Sequence, residues 1–383
     1  MAMRLSRSIV GEAEAEAVRR VLVEDGYLGI GAEVKTFEEE LAAYLGVDPD
    51  LLATANSGTA ALTMGVDAVA PGTWGQGACR GSVLVPSLTF VASFQAVTAC
   101  GCRPIPCEVL PGTCTIDLED AARRLAPDTF AIMPVLYASN PWGIDEVYAF
   151  ARKHGLRVIE DAAHAFGCTH DGKKIGSFGD VSCFSFDGIK NITCGEGGLV
   201  VLRDRAAAAV AQDARLLSVA GDTRARFHGE RSWDPDVTRQ GWRFHMSNIM
   251  AAIGRVQLTR LDSEFAPARR RLAALYATEL QGVDGVLLLD TDQRDMIVPH
   301  IMVVRVTGGR MPAAREFLRQ RGIPVGVHYK PNHLLSYFAL PGAAPFPATE
   351  RLYGELMTLP LHPGLSEDDV RLVCATLKEA LLA

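Results

Sequence analysis

Apolar positions along the chain change their period repeatedly. Glu12–Glu24 and Val34–Leu45 carry apolar residues at helical spacing, the second with acidic residues near its start. Short apolar runs follow at Ser82–Val85, Arg103–Pro106, Ala131–Val135 and Arg157–Ile159. Helix-length sequence such as Phe90–Cys100 and Asp145–His154 separates each run from the next. Strands that are apolar at successive positions are those buried on both faces, as in a parallel sheet whose crossovers are helices. The alternation therefore predicts an α/β domain with a mainly parallel sheet.

The rhythm breaks between about 217 and 240, where GDTRARFHGERSWDPDV is polar and predicts a long loop. A long helix is expected from roughly Ser247 to Leu280. Strand-like Ile297–Val306, helix-like Ala313–Arg321 and amphipathic Glu367–Leu382 then predict a smaller α+β unit. The expected division is a large α/β domain over 1–250 and a small C-terminal domain over 251–383.

Composition narrows the classes. Of 383 residues, 48% are hydrophobic, which excludes a disordered chain. Lys+Arg 38 against Asp+Glu 45 gives a net charge of −7, against nucleic-acid binding as the main activity. The longest uncharged stretch, 81–102, is interrupted by Pro86, Ser87, Thr89, Ser93, Gln95 and Thr98. A buried strand leading into a buried helix fits it better than a membrane span. The first twenty residues lack the apolar core of a signal peptide, and the nine cysteines have no metal-binding or disulfide-framework spacing. A cytoplasmic, reduced protein is expected. His328 and His333 have no carboxylate cluster near them in sequence, so no metal site is expected.

The chain has seven lysines: Lys35, Lys153, Lys173, Lys174, Lys190, Lys330 and Lys378. Lys190 lies in CFSFDGIKNITCGEGGLV (183–200), between an apolar strand-like run and a glycine turn. Desolvation there would lower the amine's pKa and supply a neutral nucleophile, as Schiff-base chemistry requires. The alternative is an ordinary solvated loop lysine. Asn56-Ser57-Gly58-Thr59-Ala60 precedes a helical segment, Ala61–Ala70, and would form either a phosphate cradle or a plain helix cap. Asp161 follows the strand Arg157–Ile159, at the carboxyl end where open α/β sheets bind ligands, and His164 lies a helical turn on. An aspartate there can pair with a pyridinium nitrogen. Phe90, beyond the strand Ser82–Val85, would stack on such a ring or serve as a core aromatic.

Taken in order, several segments resemble the DegT/StrS family of pyridoxal phosphate (PLP)-dependent sugar aminotransferases. They are Phe37–Leu41 (FEEEL), Ala55–Leu62 (ANSGTAAL), Thr89–Ser93 (TFVAS) and Ile159–Gly167 (IEDAAHAFG). Ser185–Lys190 (SFDGIK), Gly195–Gly198 (GEGG), His328–Pro331 (HYKP) and Leu359–Pro363 (LPLHP) complete the set. The resemblance implies the aspartate aminotransferase fold type I, with a seven-stranded mixed, mainly parallel sheet flanked by helices. It implies that Lys190 holds PLP as an internal aldimine and shuttles the proton, while Asp161 pairs with the pyridine nitrogen. Phe90 would stack on the ring, with His164 near its phenolic oxygen. Gly58, Thr59 and Ser185 would hold the phosphate, and His328, Tyr329 and Lys330 would line a sugar pocket. The implied reaction is ping-pong transamination from L-glutamate to a nucleotide-linked keto-sugar, with amination expected at ring carbon 4.

One segment departs from the family pattern. Relatives commonly carry an asparagine that reaches the phosphate of the neighbouring subunit's cofactor. Here Gly241–Ser247 reads GWRFHMS, without one. Arg243 or His245 would supply the donor instead, Arg243 preferred because an Arg–phosphate contact is charge-assisted, with Asn248 a lesser choice. The family geometry implies a homodimer with shared active sites, with Arg224, Arg226 and Arg231 as interface or pyrophosphate candidates. Two further readings are a PLP-dependent sugar dehydratase and a non-catalytic PLP-binding regulator. Retention of Lys190 argues against the first. The absence of a recognisable DNA-binding module argues against the second.

Overall fold

The computed structural model describes residues 3–72, 79–227, 230, 233–339 and 345–382, without the side chain of Arg224. Seven strands build the main sheet: β1 (Leu52–Ala55), β2 (Ser82–Pro86), β3 (Arg103–Cys107), β4 (Thr129–Ile132), β5 (Arg157–Asp161), then β8 (Val181–Ser185) and β9 (Gly198–Leu202). The short β6 (Thr169–His170) and β7 (Lys173–Lys174) lie between β5 and β8. The spatial order is β1-β9-β8-β5-β4-β2-β3. Pairing from β8 through β3 is parallel, and β9 runs antiparallel to both its neighbours. β9 is therefore the reversed strand of a mixed, mainly parallel sheet.

Both faces of that sheet are apolar. In β9, Leu199 and Val201 enter a core with Phe37, Leu41 and Phe166, while Val200 and Leu202 enter a second core with Met64, Phe94 and Val97. Continuous apolar runs with period-two side-chain direction give this two-sided burial. The helices Ala32–Leu45 and Asn248–Arg260 cover one face, and Gly58–Val69 and Val91–Ala99 the other.

A second sheet, β10 (Val286–Leu288), β12 (Met302–Val306) and β13 (Leu356–Leu359), packs with the helices Ala266–Leu280, Met311–Gln320 and Glu367–Leu382 around its own core. The small strand β11 (Asp295–Met296) instead pairs with β6. Residues near the amino terminus join this unit: Met3 packs on its core, and the Leu361 N–H donates to the Leu5 carbonyl at 3.0 Å.

Several boundaries differ from the sequence expectation, and proline explains most of them. Strand β4 ends at Ile132 rather than Val135, because Pro134 has no N–H for the ladder. The run expected from Ile297 is a strand only from Met302, past Pro299. The expected long helix is Asn248–Arg260 and Ala266–Leu280 joined by a π-helical turn, Leu261–Phe265. Pro267 sits in the first turn after that junction, where a missing donor is tolerated best. The expected loop at 217–240 contains a short helix, Asp222–Phe227. No helix among the described residues is long and apolar enough to cross a membrane. All nine cysteines are free thiols, and Cys100, Cys102 and Cys107 are buried in the core.

Candidate active site

The carboxyl ends of β2, β4, β5 and β8 converge on one cavity of about 390 Å³, as open parallel sheets do. Its lining includes Gly58, Thr59, Phe90, Asp161, His164, Ser185, Lys190, His328 and Tyr329. Five chain segments thus bring together the residues that the sequence singled out separately.

Lys190 sits in a pinned loop. Beyond β8, Phe186 bonds Gly197 and Cys194 through its backbone, at 2.8 and 2.9 Å. The Lys190 N–H closes a turn onto the Asp187 carbonyl at 3.0 Å, and the Ser8 hydroxyl donates to the carbonyl of Gly188. The amine lies 3.5 Å from His300 Nε2. Burial drives its pKa down to about 8, against the pull of the Asp161 and Asp187 carboxylates and helped by the charge of Arg269. About a tenth of the amine is therefore neutral at pH 7, far more than for an ordinary lysine. The solvated-loop alternative does not apply.

Asp161 is the last residue of β5. Its Oδ2 accepts from the Ser93 hydroxyl at 2.6 Å and its Oδ1 from the Ala163 N–H at 3.2 Å. Burial raises this carboxyl above the usual range, while those two donors and Lys190 act in the opposite direction. Three residues on, His164 Nε2 lies 3.0 Å from the Tyr329 hydroxyl. Its Nδ1 is buried without a partner among the described residues. Burial, then the nearby Lys190 charge, hold His164 well below the ordinary histidine range, so the ring is neutral.

The helix Gly58–Val69 begins at the cavity. Ser57 caps it, its Oγ accepting from the Ala60 N–H at 3.1 Å. The N–H groups of Gly58 and Thr59 lie in the first turn, where no intrahelical acceptor exists. A Cβ on Gly58 would stand 2.7 Å from Ser185 Cβ, so only glycine lets the helix start approach β8 this closely. Phe90 is 54% exposed and lies at the cavity with its ring 5.5 Å from that of Tyr329. It is not a core aromatic.

Other expected residues fall outside this cavity. Lys330 is exposed and does not line it, unlike His328 and Tyr329 beside it. Arg243 is also exposed and away from the cavity of its own protomer; its carbonyl accepts from Asn56 Nδ2 at 3.3 Å. Asn248 cannot substitute for the missing asparagine, because it is fully buried and bonded to Val34 N–H and the Tyr27 carbonyl. Arg226 pairs with Asp222 at 2.6 Å. Arg231 and the Arg224 side chain lie outside the described residues.

Sequence reasoning missed Ser93, His300 and Arg269. Ser93 closes the TFVAS segment and carried a signal, a hydroxyl one helical turn past Phe90. His300 and Arg269 come from chain 79 to 110 residues beyond Lys190 and had no local signal.

A half-buried nucleophilic amine, a buried carboxylate and a helix start open to an anion, set at the strand ends of a fold type I sheet, define a transaminase. Comparison with known proteins identifies the family. Residues 8–378 match the DegT/DnrJ/EryC1/StrS aminotransferase family, and the chain belongs to it. It is 32% identical over 387 residues to the dTDP-4-dehydro-2,3,6-trideoxy-D-glucose 4-aminotransferase of Saccharopolyspora spinosa, covering 99% of this chain and 97% of that protein. Its structure resembles that of the aminotransferase TlmJ from Streptoalloteichus hindustanus, with a TM-score of 0.89, 31% identity and 99% of each chain covered. Spr1654 of Streptococcus pneumoniae, a putative sugar aminotransferase solved in PLP and PMP forms, matches with a TM-score of 0.88. Its PLP form is 26% identical, over 99% of this chain and 98% of that one. The chain is a sugar aminotransferase of a PLP-dependent family.

Proposed function

We propose that this chain binds pyridoxal 5′-phosphate and moves the amino group of L-glutamate to carbon 4 of a nucleotide-linked keto-sugar. The observation that carries this reading is the juxtaposition, in one cavity, of the half-buried Lys190 amine, the Asp161 carboxylate and the open helix start at Gly58. These residues fit the cofactor on their own chemistry. The Gly58 and Thr59 N–H groups and the Ser185 hydroxyl suit a phosphate. Asp161 suits a protonated ring nitrogen, and the exposed face of Phe90 suits an aromatic ring.

When bound, the cofactor supplies an electrophilic aldehyde and an electron-withdrawing ring. The chain's residues do the rest. Asp161, kept in place by Ser93 and the Ala163 N–H, holds the proton on the ring nitrogen. Lys190 would hold the cofactor and, as a neutral amine, would move the proton at the substrate carbon. His164, neutral and bonded to Tyr329, orients the ring's polar edge. His328 and Tyr329 are the proposed sugar contacts, with Lys330 next along the chain but outside the cavity of one protomer.

The exposed Arg243, whose guanidinium has no partner among the described residues, is proposed to reach the cofactor phosphate of a second subunit in a cytoplasmic homodimer. The division at residue 250 is likewise proposed, since the helix beginning at Asn248 leads into the C-terminal unit. The sugar position and nucleotide rest on the S. spinosa relative. The test is a half-reaction. L-Glutamate added to cofactor-loaded protein should yield stoichiometric 2-oxoglutarate without an acceptor, and a nucleotide 4-keto-sugar should then be aminated. A dehydratase would form no amino sugar and would return a sugar that has lost oxygen instead.

A further inference from the structure

Arg269, on the helix Ala266–Leu280, is 2% exposed. Among the described residues no carboxylate pairs with it. Its guanidinium donates to three carbonyls: Pro299 at 3.2 Å, His300 at 3.0 Å and Lys190 at 3.4 Å. A buried arginine normally finds an anion, because an uncompensated charge away from water is costly. Here the charge is retained against backbone dipoles alone, and burial pulls the guanidinium's own pKa down to about 10.

The three carbonyls belong to two segments that meet at the reactive amine. One carries Lys190. The other carries His300, 2% exposed, whose N–H donates to Ser139 Oγ at 3.0 Å and whose Nε2 lies 3.5 Å from Lys190 Nζ. Asn191 Nδ2 also ties the two segments, donating to the Val298 carbonyl at 3.0 Å, and Arg269 adds the tie from the helix side.

We propose that Arg269 is a positioning residue for Lys190: it pins the Lys190 and His300 backbones together and places an unpaired positive charge behind the amine that must act as nucleophile and base. The inference rests on the proposed role of Lys190 and deepens it. The groups that face the amine are Asp161 and His164 beyond β5, Asp187 on its own loop, His300, and His328 and Tyr329. The two carboxylates favour its protonated form, whereas burial and the Arg269 charge favour the neutral form. Arg269 thus offsets Asp161, a carboxylate that the site requires for a different purpose.

The test uses cofactor-free full-length protein and competitive acetylation with acetic anhydride across pH, read by mass spectrometry of the Lys190 and Lys330 peptides. Lys330 is exposed and serves as an internal reference. Lys190 should reach half-maximal reactivity near pH 8, below the usual lysine range. Arg269→Gln, which keeps donors but removes the charge, should shift the Lys190 midpoint upward by about half a unit or more. Arg269→Lys should keep it near the wild-type value. An unchanged midpoint in Arg269→Gln, or an equal rise in Arg269→Lys, overturns the proposal. If Arg269→Gln does not fold, the wild-type measurement still decides, because a Lys190 midpoint within the usual lysine range refutes it. Failure of the glutamate half-reaction would instead count against the proposed function, since this readout needs neither cofactor nor turnover.

Discussion

The Ser93 hydroxyl donates to Asp161 Oδ2 at 2.6 Å, and Thr89 Oγ1 lies 2.8 Å from Ser93 Oγ in turn. With its proton committed to Asp161, Ser93 accepts from Thr89, so two hydroxyls form a relay onto one buried carboxylate. A hydrogen bond to a charged group is worth about 1.5–3 kcal/mol. Ser93→Ala should therefore weaken cofactor affinity roughly tenfold or more, measured by equilibrium titration of the cofactor-free protein. Ser93→Thr should retain most of it. Equal affinities for wild type and Ser93→Ala would show that Asp161 needs no such support.

The contact between Gly58 and Ser185 makes a second prediction. Gly58→Ala forces its Cβ against Ser185 Cβ at 2.7 Å and should cost about 1–3 kcal/mol of stability. Adding Ser185→Gly should recover much of that loss in denaturant unfolding while leaving the phosphate with one donor fewer. A single variant as stable as wild type would mean that the helix start can retreat from β8 freely.

Phe90 should separate binding from stability. Because it is 54% exposed, Phe90→Ala should change unfolding stability by no more than about 0.5 kcal/mol. An aromatic stack is worth about 0.5–1.5 kcal/mol, so cofactor affinity should fall by roughly two- to tenfold. A loss of stability larger than the loss of affinity would assign Phe90 to the fold instead.

A pH dependence follows from His170, which joins Asp295 of β11 at 2.6 Å and Asp145 at 3.2 Å. Burial disfavours its charge, but the two carboxylates outweigh burial and raise its pKa. A group raised in the folded state contributes stability that is fully present below its unfolded pKa and lost as pH rises through the folded one. The stability advantage of wild type over His170→Gln should therefore be largest near pH 6 and shrink toward pH 9. An advantage independent of pH would show that the imidazole acts as a neutral hydrogen-bonding group.

The contiguous parts of the site were legible in the sequence. Asp161 and His164 share one strand end, Ser57 to Thr59 share one helix start, and Lys190 stands between an apolar strand and a glycine turn. Local chemistry sufficed for these because short-range geometry places them. Prolines decided the strand boundaries at Pro134 and Pro299, and their effect was underweighted beside apolar runs that continue through them. Arg269 and His300 were not legible, since their roles depend on how the C-terminal unit docks on the Lys190 loop. The contrast between Tyr329 in the cavity and the exposed Lys330 is of the same kind, because one residue of offset in an irregular segment reverses exposure.

The hydrogen bond between His164 and Tyr329 joins residues 165 positions apart, and Asn332 adds bonds to the carbonyls of Ser87 and Thr89. The cavity's walls are thus supplied by all three thirds of the polypeptide. During vectorial synthesis the sheet strands through β9 emerge well before the segment that closes the pocket, so a ribosome-held nascent chain can build the sheet without a finished cavity. Ligand capture then reports completion of the whole chain, and whatever occupies the pocket stabilises the docking of its two ends by mass action.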